Sequence, residues 1–154
     1  MRFLRCTELD CEPAEAIRHA RSPRLLAYVA APWLRFDPLE PPALPDEWKP
    51  GRYRVRLRAF GVIPFGEQWI GIRAVEQRGD RLLLHDEGSG GLVRVWNHRL
   101  ETTPTRDGRT RYCGRIEIEA GRRAPVIAWL ARRFFAHRQR RWRRLVANGF
   151  DYER

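Results

Sequence analysis

Two residues on one predicted strand have the chemistry of a binding or proton-transfer site. Trp96 and His98 lie two positions apart, so in an extended strand their side chains point to the same face. If that face lines a cavity, Trp96 forms part of its wall, and His98 donates a hydrogen bond to a ligand or transfers a proton near neutral pH. The alternative, a half-buried histidine bonded to backbone beside a packed tryptophan, is favoured because histidines of intermediate burial are commonly structural.

Arg138 is the second candidate, because it falls within the apolar stripe of a predicted C-terminal helix. A cation there must be paired or reach water, since an unpaired buried charge is very unfavourable. One interpretation is that it binds the carboxylate or phenolate of a ligand. The favoured alternatives are an ion pair with Asp86, Glu87 or Glu117, or an aliphatic stem along the apolar face with the charged head in solvent.

Tyr112 and several aromatic residues complete the candidate set, with His85 as a further proton-transfer group. The predicted ligand-binding residues are Trp33, Phe36, Trp69, Trp96, His98, Tyr112, Trp129, Phe134 and Arg138. For most of the aromatic residues, plain core packing is the stronger alternative. A metal site at residues 85–87 is disfavoured, because neighbouring residues of a strand face opposite sides. We expect no metal and no cofactor.

Composition predicts one soluble domain over residues 1–154. The chain is 43% hydrophobic and 32% charged, as in an ordinary globular protein. The longest strongly apolar stretch, residues 25–34, is shorter than the roughly 20 residues of a membrane-spanning helix, and no secretory signal is visible. We therefore expect a cytoplasmic location. The cysteines, Cys6, Cys11 and Cys113, are odd in number and lack a C-x-x-C spacing, so free thiols are predicted.

The chain has a net charge of +11, and Lys49 is its one lysine among 30 basic residues. Residues 122–144 hold nine arginines and no acidic residue. Such a segment could follow nucleic-acid phosphates or an anionic membrane. The aromatic residues of the segment lie on the opposite helix face, which is unsuited to base stacking. A solvated outer face is therefore favoured, and nucleic acid or membrane binding is the minority alternative.

Hydrophobic periodicity predicts the elements that position these residues. Residues 124–147 form a long helix, with Pro125 in the first turn and Gly149 after its end. The apolar face of that helix consists of Ile127, Leu130, Ala131, Phe134, Phe135, Trp142 and Leu145. A first strand at residues 2–8 precedes two short helices, near residues 14–20 and from Pro23 to before Pro32.

The middle of the chain predicts a run of antiparallel strands. Residues 32–50 are rich in proline and are predicted to be ordered but irregular. Five further strands are predicted at residues 51–59, 68–75, 81–85, 92–102 and 110–119. Turns are predicted at residues 60–66, 78–80, 88–91 and 107–108, and connections this short make the sheet antiparallel.

Several short motifs extend across nearly the whole chain in a definite order. They are Pro32-Trp33-Leu34-Arg35-Phe36 followed by Pro41-Pro42, Gly51-x-Tyr53-x-Val55-x-Leu57, Gly61-x-Ile63-Pro64, Trp96-x-His98, Tyr112-x-x-x-Ile116-Glu117 and His137-Arg138-x-Arg140-Arg141. With the terminal helix and the antiparallel strands, this order resembles the START-like or SRPBCC superfamily. Within it, the motifs are similar to those of an uncharacterised, polyketide-cyclase-like bacterial branch.

The resemblance implies an α+β helix-grip fold, in which a curved antiparallel six-stranded sheet wraps around the long C-terminal helix and two short helices follow strand 1. It also implies binding of a small hydrophobic or aromatic ligand, lipid or polyketide-like, in a cavity between sheet and helix. The alternatives are a polyketide cyclase or aromatase-like enzyme using His98, Arg138 and Tyr112, and, less favoured, a nucleic-acid or anionic-membrane binding module. Relatives often carry an acidic residue near the position of Gly114, so a role for that carboxylate is in doubt here.

Overall fold

The computed structural model of the protein describes residues 1–91 and 93–154. Its elements in chain order are β1 (Arg2–Leu9), α1 (Pro13–Ala20), α2 (Pro23–Ala30), β2 (Leu34–Glu40), β3 (Gly51–Ala59), β4 (Ile63–Arg78), β5 (Arg81–Gly90), β6 (Val95–Pro104), β7 (Thr110–Glu119), a 3-10 turn (Gly121–Arg123) and α3 (Ala124–Ala147). The α+β arrangement of one strand, two short helices, antiparallel strands and a long terminal helix is confirmed.

The strands form one antiparallel sheet in the order β1-β7-β6-β5-β4-β3-β2. Side chains alternate between its faces, so Trp96, His98 and Leu100 of β6 point inward together. On β7 the inward positions include Tyr112 and Ile116, which are buried. The helices contact this inner face, and the core lies between the two layers.

The sheet has seven strands, so the prediction of six is wrong. The additional strand is β2, which pairs with β3 through Leu34 opposite Ala59 and Phe36 opposite Leu57. The prolines of this segment obscured it, because proline removes a ladder donor and is depleted in strands. An edge strand tolerates Pro38, since one side of its backbone makes no ladder bonds.

Two strand boundaries also differ from the prediction. β4 begins at Ile63, and β5 continues through the glycines that were predicted as a turn, as far as Gly90. A Cβ atom at Gly88 would lie 3.0 Å from the carbonyl oxygen of Trp69 and 3.1 Å from that of Trp96. Glycine therefore allows close approach by both neighbouring strands. The predicted start of the next strand, Leu92, lies outside the described residues.

Cys6 and Cys113 form a disulfide, so the prediction of free thiols is wrong for these two residues. They lie directly opposite each other on β1 and β7, with Cα atoms 4.1 Å apart. A sequence separation of 107 residues hid the pair, since strand pairing rather than a local motif brings it together. Cys11 is a free thiol, as predicted.

The bounds of α3 match the prediction, and Gly149 follows its end with a φ of 74°. Most of its predicted apolar face is buried: Ala131, Phe134, Phe135, Trp142 and Leu145. Leu130 is instead exposed on its first half. No helix in the described part of the chain has both the length and the hydropathy needed to cross a bilayer.

Candidate functional site

A cavity of about 60 Å³ lies between the inner face of the sheet and the second half of α3. Five of its polar side chains, here called the polar cluster, are Asp86, His98, Tyr112, Arg138 and Trp142, and Ser22 also lines it. The rest of the lining is apolar and comes from α1, α2, the β2–β3 connection and strands β4, β5 and β6. A small interior space with both kinds of wall can hold a polar group beside an apolar one.

Strand register brings two members of the polar cluster together. Asp86 on β5 lies directly opposite His98 on β6, and both occupy inward positions. The backbone N–H of Gly71 on β4 donates a hydrogen bond of 3.0 Å to Oδ1 of Asp86. Three neighbouring strands therefore fix the carboxyl group at the cavity wall.

Three polar atoms of the cluster have no hydrogen-bond partner among the described residues. They are Nε2 of His98, Nε of Arg138 and Nε1 of Trp142, and all three are buried. Leaving a buried polar group unsatisfied costs about 1–3 kcal/mol, so such groups in a native protein call for an explanation. Their three residues line the same cavity, and this indicates a place for a polar ligand atom or water.

The guanidinium of Arg138 is held by aromatic faces inside the protein. Its central carbon lies 4.9 Å from the ring centre of Phe135 and 5.8 Å from that of Phe134. Burial lowers the pKa of Arg138 below its ordinary value, and the nearby Tyr112 and Asp86 oppose that shift. Ring faces attract cations, so this packing offsets part of the unfavourable burial of the charge.

Of the three acids considered as partners of Arg138, only Asp86 shares the cavity with it. Glu87 points to the outer face of the sheet, where Arg73 donates to it at 2.8 Å. Glu117 is also on the outer face, 3.2 Å from Arg2.

Burial sets the protonation of the cluster. It raises the pKa of Asp86 to about 7, although the Gly71 N–H and the Arg138 charge oppose the shift. Burial, together with the charge of Arg138, holds the pKa of His98 well below 6.5. Burial also raises the pKa of Tyr112 above 10. Near neutral pH, His98 and Tyr112 are therefore uncharged, Arg138 is cationic, and Asp86 is partly protonated.

Gly114 on β7 makes room for this arrangement. A Cβ atom there would lie 3.0 Å from Nε2 of His98 and 3.2 Å from the hydroxyl oxygen of Tyr112. Any larger residue would displace one of these groups, since contacts this close are rarely tolerated. The carboxyl group of the cavity is accordingly Asp86 on β5, and the β7 position carries no side chain.

The structure separates the other predicted site residues into three places. Trp33, Trp96, Phe134 and the neighbouring Phe135 form what we call the aromatic cluster, against the first half of α3. In it, Trp96 stacks on Phe135 with ring centres 5.7 Å apart. Phe36 packs at its side. These residues adjoin the cavity but do not line it.

Trp69, Trp129 and His85 do not reach the interior. Trp69 lies on the outer face of the sheet, with the guanidinium of Arg52 4.3 Å from its ring centre. Trp129 is 57% exposed on α3. His85 lies on the outer face, 3.6 Å from Glu87, so it cannot join Asp86. In the run His85-Asp86-Glu87, alternation places Asp86 on one face of the strand and its two neighbours on the other. Which of these faces points inward depends on the face of the sheet that the helices cover.

Sequence reasoning missed Asp86 and Trp142 as site residues. The signal for Asp86 was present, because Leu82, Leu84 and Asp86 alternate and so share the buried face of β5. Trp142 was assigned to the apolar face of α3, which is correct, but the residue also lines the cavity, and its indole N–H is buried without a partner among the described residues.

A larger concavity of about 590 Å³ lies on the outer face of the sheet, with Arg2, Glu87 and Glu117 in its lining. It is open to solvent, and these groups are engaged in surface ion pairs. Exposed ion pairs of this kind contribute little to the stability of a protein. The smaller interior cavity is the better candidate site, because its polar atoms are buried and unpartnered.

Solved structures share this fold at low sequence identity. Protein CV1439 from Chromobacterium violaceum is 15% identical, with a TM-score of 0.68 and coverage of 94% of this chain and 96% of that one. A START superfamily protein from Mycobacterium smegmatis is 12% identical, with a TM-score of 0.65 and coverage of 96% and 97%. DynU16, a protein in the dynemicin biosynthetic locus, is 16% identical at a TM-score of 0.61, with 96% of this chain matching 48% of that one.

The predicted resemblance to the START-like superfamily is therefore confirmed at the level of the fold. No curated protein matches the chain. A family model matches residues 7–146, which include every member of the polar cluster. The chain belongs to the family described as "Domain of unknown function (DUF8410)".

Proposed function

We propose that the protein binds a small hydrophobic or aromatic ligand whose polar group enters the cavity between the sheet and α3. The observation that carries this proposal is the convergence of Nε2 of His98, Nε of Arg138 and Nε1 of Trp142, all buried and unpartnered among the described residues. A ligand carboxylate or phenolate would accept hydrogen bonds from the N–H groups of Arg138 and Trp142 and would meet the positive charge of Arg138.

The size of the cavity limits which part of a ligand enters first. Sites for drug-sized ligands usually have a volume of about 300–1,000 Å³, whereas this cavity has about 60 Å³. It has room for one polar group, so the apolar remainder of a ligand must displace Leu25, Leu26 or Trp48 from the wall. Ligand binding is therefore expected to move α2 or the β2–β3 connection.

The test compares three probes that differ in one group: 2-naphthoate, 2-naphthol and naphthalene. Calorimetric titration should give the tightest binding for 2-naphthoate. Arg138→Met should weaken 2-naphthoate binding by about tenfold or more, because a hydrogen bond to a charged group contributes about 1.5–3 kcal/mol. Arg140→Met, on the exposed face of the same helix, is the matched control. Equal binding of all three probes, or equal effects of the two variants, would contradict the proposal.

A second candidate function is proton transfer at a carbon next to a carbonyl. The observation that favours it is the carboxyl group of Asp86, whose pKa of about 7 lies near working pH, directly opposite a neutral His98. The carboxylate would accept the carbon-bound proton, and Arg138 would stabilise the resulting enolate oxygen. The test is deuterium exchange at the acidic C–H of 2-tetralone, followed by NMR. Exchange above the buffer rate that Asp86→Asn abolishes would support it; exchange at the buffer rate would exclude it for this ketone.

A further inference from the structure

Exposed apolar side chains are concentrated in two segments of the protein. Among the described residues, the exposed large apolar side chains include four in the β3–β4 connection and the start of β4, and three in the first two turns of α3. We call these seven residues the apolar end: Phe60, Val62, Ile63, Phe65, Val126, Trp129 and Leu130. A soluble protein does not usually expose so many large apolar groups in so few turns, and such clusters mark interaction sites.

Strand register places both segments at the same end of the sheet. Gln68 pairs with Gly90, so residues 63–67 of β4 extend past the end of β5. Trp96 pairs with Ile118 near the same level, and α3 begins five residues after β7 ends at Glu119. The apolar end therefore consists of a projecting hairpin and a helix start that face the same side of the molecule.

A direct connection links the hairpin to α3. The N–H of Phe60 donates to the carbonyl oxygen of Trp33 at 2.9 Å. The ring of Trp33 then stacks on His137, with ring centres 5.4 Å apart, and contacts Phe134. Leu130 is one turn before Phe134 on the same helix, so the hairpin base and the start of α3 are connected through Trp33 and Phe134.

Cations lie beside the α3 part of this apolar surface. Arg122 and Arg123 are exposed just before α3, and the guanidinium of Arg133 lies 5.0 Å from the ring centre of Trp129. No acidic residue occurs from residue 122 to residue 144. The hairpin segment from residue 60 to residue 66 carries no charge at all. Exposed apolar side chains next to arginines suit a partner with an apolar interior and an anionic outer layer.

Charge and chemistry select among the possible occupants. A second copy of the chain would bring another net charge of +11, and that repulsion opposes self-association. Nucleic acid would pair with the arginines but would leave the aliphatic side chains Val62, Ile63 and Val126 exposed to water. An anionic bilayer accommodates both, because its interface takes up aromatic and aliphatic groups and its headgroups attract arginine.

We propose that the apolar end, with Arg122, Arg123 and Arg133 beside it, docks the protein on the surface of an anionic lipid bilayer. Docking inserts the hairpin tip and the exposed side of the first turns of α3 into the interface, and the protein does not span the membrane. The proposal is independent of ligand binding in the interior cavity, since the apolar end shares no residue with the polar cluster.

The experiment is sedimentation of the full chain with vesicles of phosphatidylcholine, with and without phosphatidylglycerol, at low and high salt. The wild type should bind the anionic vesicles best, and salt should weaken but not abolish that binding. The double variant Val62→Ser and Phe65→Ser should bind about tenfold more weakly, because it loses apolar area that the interface buries. Arg122→Ala with Arg123→Ala should weaken binding to anionic vesicles by about fivefold per arginine.

Two controls separate specific docking from a general surface effect. Leu4→Ser removes an apolar side chain of comparable exposure from the outer face of β1. Arg111→Ala removes an exposed cation from the outer face of β7. Both should bind vesicles as the wild type does, and so should Arg138→Met, which tests the interior site. Circular dichroism verifies that each variant is folded.

Three results would overturn the proposal. The first is absence of binding to phosphatidylglycerol vesicles at low salt. The second is equal binding by the Val62, Phe65 double variant and by Leu4→Ser, because the attraction would then be electrostatic alone. The third is a dimer in sedimentation velocity that the same double variant dissociates, which would identify a second copy as the occupant of this surface.

Discussion

The two halves of the inner face of α3 contain the same kinds of residue, but the first half is packed and the second half borders a cavity. In the first half, the aromatic cluster is packed ring against ring, with Phe134 and Phe135 inclined at 70° to each other and Trp96 stacked on Phe135. One and two turns later, Arg138 and Trp142 line a cavity where buried polar atoms lack partners among the described residues. The first half stabilises the fold, and the second half keeps a costly arrangement that is typical of a functional site.

Phe135→Ala should produce the largest loss of stability and would test whether the aromatic cluster is the stabilising half. Phe135 is 1% exposed and contacts Phe3, Trp96 and His98. Removing such a ring typically costs about 3–5 kcal/mol of unfolding free energy. Urea denaturation measures it. A loss below that of the partly exposed Phe36→Ala would show that the cluster is not the stabilising half.

Asp86→Asn should remove a loss of unfolding free energy that the wild-type protein shows as the pH rises. The pKa of Asp86 is about 7 in the folded protein and near 3.8 when unfolded. Between these values the folded state binds more protons, so the wild type loses stability as the pH rises towards 7. The loss is complete above pH 8 and reaches at most about 4 kcal/mol, since each pKa unit corresponds to about 1.4 kcal/mol.

Thermal unfolding of wild type and Asp86→Asn at several pH values measures this effect. The Asn variant should gain relative to the wild type with rising pH, while the two should keep a constant difference below about pH 3, where Asp86 is protonated in both states. Asp107→Asn, in the exposed β6–β7 turn, is the control that should not show a gain with rising pH. A constant difference between Asp86→Asn and wild type across the whole range would contradict the assigned burial.

Gly114→Ala should damage the polar half without affecting the aromatic cluster. The added methyl group would lie 3.0 Å from Nε2 of His98, and overpacking of this kind costs about 1–3 kcal/mol. Binding of 2-naphthoate should be lost with it. Gly91→Ala provides the comparison, since a Cβ there meets nothing within 4 Å. Unchanged stability and unchanged probe binding in Gly114→Ala would show that His98 and Tyr112 do not depend on this space.

Trp129→Ala should have the smallest effect on stability, although Trp129 lies on the same helix as Phe135. It is 57% exposed, and surface substitutions usually change the unfolding free energy by about 0.5 kcal/mol or less. Urea denaturation again provides the measurement. A loss near that of Phe135→Ala would mean that the start of α3 is packed, and the membrane-docking surface would then be smaller than proposed.

The sequence predicted best what depends on local periodicity. The bounds of α3 followed from Pro125, Gly149 and the repeat of apolar residues between them, because these signals act within a few residues. Arg138 was identified as anomalous for the same reason. β2 was missed because the prolines of residues 32–50 hide the pattern of a strand. Only its pairing with β3 identifies it as one.

The rest depends on contacts between distant segments. The Cys6–Cys113 bond requires β1 to lie beside β7, which no local pattern specifies. The pairing of Asp86 with His98 requires the register of β5 on β6, which the short connection between these strands does not fix by itself. Trp69 and Trp129 were predicted as ligand-binding because aromatic residues suit a cavity wall, but the choice of face belongs to tertiary packing. Sequence reasoning thus identified three of the five members of the polar cluster, and it assigned to the cavity two tryptophans, Trp69 and Trp129, that lie outside it.

The disulfide has a consequence for how copies of this chain can associate. β1 lies at an edge of the sheet, and an edge strand can leave its own molecule and pair in the same place on another. The bond to β7 prevents that exchange as long as it is intact. Strand-swapped assemblies through β1 can therefore form only before the cysteines join or after they are reduced.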